Sequence, residues 1–99
     1  MTRIAAYIPN LMDRSRFGDG VEIVNKLEEL KSVEADLVLV DLSRSKVLEY
    51  LPSGPRVIGF APHVAEEILD AAKKAGCAEA LPRSVFFRRL PTLLGVLDD

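Results

Sequence analysis

The residues able to carry chemistry in this chain are few and sit at the ends of apolar runs. Asp41 closes the run Leu37-Val38-Leu39-Val40. A carboxylate in that place can cap a following helix or pair with a nearby cation such as Arg83. Asn10 and Asp13 follow the first apolar run, while His63 and Arg83 follow two later ones, so His63 and Arg83 could grip an anion beside Asn10. The single cysteine, Cys77, lies between Gly76 and Ala78 with no base near it in sequence, and reads as a small buried hydrophobe. Phe86-Phe87-Arg88-Arg89 has the aromatic-plus-arginine composition of interface hot spots, with one of the two rings expected in the core. Gly18-Asp19-Gly20 matches neither nucleotide-binding glycine pattern, and no cofactor or metal centre is indicated.

The elements that would position these residues alternate between short apolar runs and helical patterns. Arg3 to Ile8, Ala35 to Asp41 and Arg56 to Phe60 are nearly continuous apolar stretches, as strands buried on both faces require. Val21 to Val24 is a β-branched cluster suited to a brief edge strand; the i, i+3 spacing of Val21, Val24, Leu27 and Leu30 also fits one fused helix, and both readings stand. Cys77 to Leu81 is a weaker strand. Helices are expected over Leu11 to Phe17, Lys26 to Val33 with Asn25 as cap, and from Ser43 or Ser45 through Tyr50. Val64 to Ala75 is the clearest helix: Glu66 and Glu67 open it, Lys73 and Lys74 close it, and Gly76 follows. The final helical region starts at Ser84 and is interrupted at Pro91, which would begin a last helix to Leu97. Five strands and five helices with short right-handed crossovers give an α/β fold. The expectation is a flavodoxin-like three-layer α/β/α sandwich on a five-stranded parallel sheet of order 2-1-3-4-5, with any site at the carboxyl ends of the strands.

Composition sets the outer limits. The chain's 99 residues, with 13 Lys+Arg against 15 Asp+Glu and a net charge of −2, suit a single globular domain spanning residues 1–99. The slight acidic excess argues against nucleic acid or an anionic membrane as partner. The absence of a secretory-type start and of paired cysteines points to the cytoplasm.

Asp36-Leu37-Val38-Leu39-Val40-Asp41-Leu42 resembles the third strand of response-regulator receiver domains, the bacterial-type CheY-like signal-transduction family, in which the aspartate ending the run is phosphorylated. Arg56 to His63, Glu66-Glu67 and Ala71-Ala72-Lys73-Lys74-Ala75-Gly76-Cys77 resemble the receiver's fourth strand, fourth helix and approach to strand five. Arg83 falls where the family has its lysine. The resemblance covers Ala35 to Leu97 and departs from the family where the chemistry lies. The acidic pair expected after strand one reads Pro9-Asn10, with Asp13 the nearest carboxylate; the hydroxyl donor after strand four reads Ala61; the lysine is an arginine. What the resemblance implies is therefore a degenerate pseudo-receiver, not an enzyme. It would bind an unidentified protein or itself through the face of the fourth helix, fifth strand and fifth helix, drawing on Lys73, Lys74, Cys77, Phe86, Phe87, Arg88 and Arg89. The alternatives are a residual phosphoacceptor or anion sensor using Asp41 with Asp13 and Arg83, and a small flavodoxin-like ligand-binding domain.

Overall fold

The computed structural model describes residues 3–17, 20–43, 45–62 and 66–94. His63, the start of the helix expected from Val64, and the last three residues of the helix expected to reach Leu97 lie outside them.

Five parallel strands form one sheet in the order β2-β1-β3-β4-β5: β1 Ile4–Tyr7, β2 Val21–Ile23, β3 Leu37–Asp41, β4 Arg56–Ala61 and β5 Glu79–Pro82. The flavodoxin-like strand order expected from the alternation is the order observed. Every residue of β1 and β3 is buried, which is why both read as unbroken apolar runs. Side chains alternate across the sheet. Ala5, Tyr7, Val38, Val40 and Val57 enter one apolar cluster, and Ile4, Ala6, Leu37, Leu39, Ile58 and Phe60 enter another. The first cluster also holds Leu30, Val47 and Ala72 from the connecting helices; the second holds Phe17, Phe86, Leu90 and Leu93. Register at the start of the sheet is reinforced from Asp36, whose carboxylate accepts from the Arg3 amide at 2.8 Å while its own amide donates to the Arg3 carbonyl at 2.8 Å.

The helices depart from the sequence reading in informative ways. Val21–Ile23 is the edge strand, and the fused-helix alternative fails because Val24 also donates to the Ala6 carbonyl, extending the strand pairing. α1 is only Leu11–Arg14, with hydrogen-bonded turns to Phe17, and α2 only Leu27–Leu30. Asn25 does not cap α2; Lys26 holds that position without a side-chain bond. The segment Ser45–Tyr50 is a 3₁₀ helix rather than an α-helix. α3 is Glu66–Ala75, ended by Gly76 at φ 122° as its sequence implies. α4 runs unbroken from Arg83 to Leu94 with Pro91 inside it, so the expected interruption is absent. Pro91 deprives the Phe87 carbonyl of its i+4 donor, yet Phe86, Leu90 and Leu93 lie on one buried stripe spanning that position, and their burial holds the turn together.

Candidate functional site at the carboxyl edge of the sheet

The chain leaves β1 through Ile8-Pro9 and reaches Asn10 in an extended conformation (φ −76°, ψ 118°). The Asn10 Oδ1 accepts from the amides of Met12 at 2.8 Å and Asp13 at 3.2 Å, satisfying two of the donors that start α1. That cap turns α1 so that Asp13, not Leu11 or Met12, faces inward: Asp13 is 3% exposed, against 72% and 82% for the two apolar residues. From the far end of the chain, α4 begins directly after β5, which sets Arg83 at the same edge. Its guanidinium grips both oxygens of the Asp13 carboxylate, a bidentate pair spanning 70 positions of sequence. This hydrogen-bonded cation holds Asp13 below the ordinary carboxylate range against the opposing effect of burial, and the Arg83 pKa is raised in turn, first by Asp13 and more weakly by Asp41.

Asp41 ends β3 and is buried, and its Oδ1 accepts from the Ser43 amide at 2.9 Å, a local turn rather than a helix cap. Arg83 therefore bonds Asp13, not Asp41. A cavity of about 160 Å³ joins Asn10, Asp13, Asp41, Ser43, Ala61 and Arg83, so four of the residues expected at the site do converge. His63 lies outside the described residues.

The donor set determines what this cavity can do. A magnesium ion needs several hard oxygen ligands and tolerates poorly a fixed cation among them. Here Asn10 Oδ1 serves the helix, both Asp13 oxygens serve Arg83, and among the described residues one Asp41 oxygen receives no hydrogen bond. Among the described residues no three His, Cys, Asp or Glu side chains gather as a metal site. The described residues do not fit the metal that receiver chemistry uses.

The segment singled out as an interface is largely committed inside the molecule. Phe86 is fully buried and stacks on Phe60 at 4.3 Å between centroids, while Phe87 packs edge-on against Phe86, Phe60 and Phe17 at 5.1, 5.2 and 6.0 Å. All four phenylalanines of the chain thus form one cluster. Arg89 pairs with Glu79 at 2.9 Å, and Glu79 also meets Arg56 at 2.8 Å; the Arg89 bond is the main cause of the lowered Glu79 pKa. Arg88 and Lys73 remain exposed. Cys77 is buried as expected, and burial pushes its thiol up to about 11. Arg16, which the sequence reading passed over, stands against Phe87. Among the described residues, no helix is long and apolar enough to cross a membrane. No protein-family model matches this chain, and no curated protein matches it.

Proposed function

We propose that this chain is a non-catalytic pseudo-receiver, a regulatory module that works by protein–protein contact independently of phosphorylation. One observation carries the reading: the Arg83 guanidinium occupies the carboxylate of Asp13, which lines one cavity with Asp41, so the place where a phosphorylating site would gather a divalent cation holds an internal ion pair. Phosphorylating Asp41 there would add negative charge without the metal that normally offsets it. The order of the sheet and the position of Asp41 at the end of its central strand are what the resemblance to receivers calls for. The face formed by α3, β5 and α4 retains exposed Lys73 and Arg88 for a partner or a second copy, with Phe86 and Arg89 serving the fold instead. The net charge of −2 supports a protein rather than a nucleic acid as that partner.

The test is to treat the protein with beryllofluoride and magnesium and follow backbone amide shifts, and separately with a small phosphodonor and follow intact mass. The expected outcome is no change at Asp41 or Ser43 and no phosphoryl-sized gain in mass. A change abolished by Asp41→Asn overturns the reading in favour of a residual phosphoacceptor. Light scattering of the protein and of a Lys73→Glu, Arg88→Glu double variant reads self-association through the α3-β5-α4 face.

A further inference from the structure

Arg16, Pro62, Arg83, Ser84 and Phe87 line a second cleft, of about 380 Å³, which excludes Asn10, Asp13 and Asp41 from its walls. Two guanidiniums converge on one ring there: the Cζ atoms of Arg16 and Arg83 lie 4.7 and 4.9 Å from the Phe87 centroid. Phe87 is itself fixed by the aromatic cluster, so it positions both cations instead of following them. Like charges so placed repel, and Asp13 hydrogen-bonds only Arg83 while acting on Arg16 more weakly through space. A guanidinium has five N–H donors, of which Asp13 takes two on Arg83. The salt bridges among the described residues engage Arg56, Arg83 and Arg89 but not Arg16. Ser84 adds an exposed hydroxyl, and among the described residues no carboxylate lines the cleft. Donors and positive charge thus converge, with no carboxylate among the described lining residues, beside an apolar wall of Phe87 and Pro62.

We propose that this cleft binds a small organic phosphate ester. A phosphomonoester carries about −1.5 to −2 charges near neutral pH and three acceptor oxygens. That tetrahedral array matches two separate guanidiniums and a hydroxyl, whereas the two coplanar oxygens of a carboxylate are saturated by a single fork. The cleft volume of about 380 Å³ is at the lower end for small-molecule sites and leaves room for an organic group against Phe87 and Pro62. The cleft shares Pro62 and Arg83 with the Asp41 cavity but not Asp41 itself, and its ligand is read by a titration that does not involve phosphorylation of Asp41.

Titration of the full chain with phenyl phosphate and with inorganic phosphate, at constant ionic strength set by chloride, tests the assignment through amide and arginine Nε chemical shifts. Saturable shifts are expected at Arg16, Ser84 and Phe87, with tighter binding of the ester. Arg16 is exposed, so Arg16→Gln keeps the fold and weakens binding about tenfold or more, as losing a charge-assisted bond to an anion should. Lys31→Gln removes an equal charge from the end of α2 and leaves binding unchanged. Shifts that fail to saturate, an equal loss in Lys31→Gln, or equal affinity for the two phosphates each overturns the proposal.

Discussion

Arg83→Gln isolates the interaction on which the carboxyl edge depends. The Asp13 side chain is 4% exposed and that of Arg83 43% exposed, so the two partners are not equivalent. Removing the cation leaves a buried carboxylate facing a neutral amide, whereas removing the carboxylate leaves a guanidinium that already reaches water. Breaking a fully buried pair costs about 3–5 kcal/mol, and the partial exposure of Arg83 places the loss for Arg83→Gln at about 2 kcal/mol. For a domain of this size that lowers the melting temperature by roughly 8–16 °C. Asp13→Asn should cost about 1 kcal/mol and the double variant less than the sum, with a coupling of about 1 kcal/mol in a urea-denaturation cycle at neutral pH. Acid adds a check of sign. Asp13 is held below its ordinary value of 3.8, so its contribution is fully present above that value and is lost as pH falls through the lowered folded-state pKa. The stability gap between wild type and Arg83→Gln should therefore stay near its full size at neutral pH and close under strongly acid conditions. An Asp13→Asn loss equal to or larger than that of Arg83→Gln, with additive double-variant energies, would refute the claim that the carboxylate is the dependent partner.

Other substitutions test the packing around the site. A Cβ on Gly59 would lie 2.7–2.9 Å from the fully buried Leu42 side chain, so Gly59→Ala should cost about 1–3 kcal/mol, seen as a lower urea midpoint at unchanged slope; wild-type stability would sink this. Phe87→Ser removes three ring contacts and should cost about 2 kcal/mol by the same measurement. Pro91→Ala restores a donor to the Phe87 carbonyl on an exposed face of α4 and should raise stability by about 1 kcal/mol or more; an unchanged melting temperature would mean that the carbonyl is already satisfied. Cys77, buried and with its thiol at about 11, should react with a disulfide reagent at pH 8 far more slowly in the native protein than in denaturant.

The sheet was legible because β1, β3 and β4 are buried runs whose composition admits few other structures, and because short parallel connections leave little choice of order. The helices were less so, since a four-residue α1 or α2 carries too little periodicity to bound. Pro91 misled for a specific reason: local chemistry favours a break there, and the tertiary burial of Leu90 and Leu93 on either side overrides it. At the site, Asn10, Asp13, Asp41 and Arg83 could be brought to one edge by counting strands, but pairing Arg83 with Asp13 instead of Asp41 required the cap geometry that turns Asp13 inward. Arg16 and the phenylalanine cluster left one faint signal: Phe17 follows Arg16, Phe87 precedes Arg88, and Phe60 stands beside the last residue of β4.

The exposure pattern of α1 inverts that of an ordinary surface helix. Leu11 and Met12 face solvent while Asp13 is buried, so apolar burial does not hold this turn in place. Three polar attachments do: the Asn10 cap, the bond from Arg14 Nε to the Ile8 carbonyl at 3.0 Å, and the grip of Arg83 on Asp13. Only the last reaches another helix, and Phe17 then anchors the following turn beside Phe86. Loss of Arg83 should free α1 from α4 while leaving β3 and β4, which rest on the sheet and its two apolar clusters, undisturbed. Amide exchange in Arg83→Gln should accelerate at Met12, Asp13 and Arg14 far more than at Leu39 or Ile58. The same arginine thus fixes the exposed Leu11–Met12 surface, neutralises the carboxylate beside Asp41 and forms one side of the cationic cleft. An anion drawing Arg83 toward Phe87 and Arg16 would compete with Asp13 for it, which couples occupancy of the cleft to the position of α1.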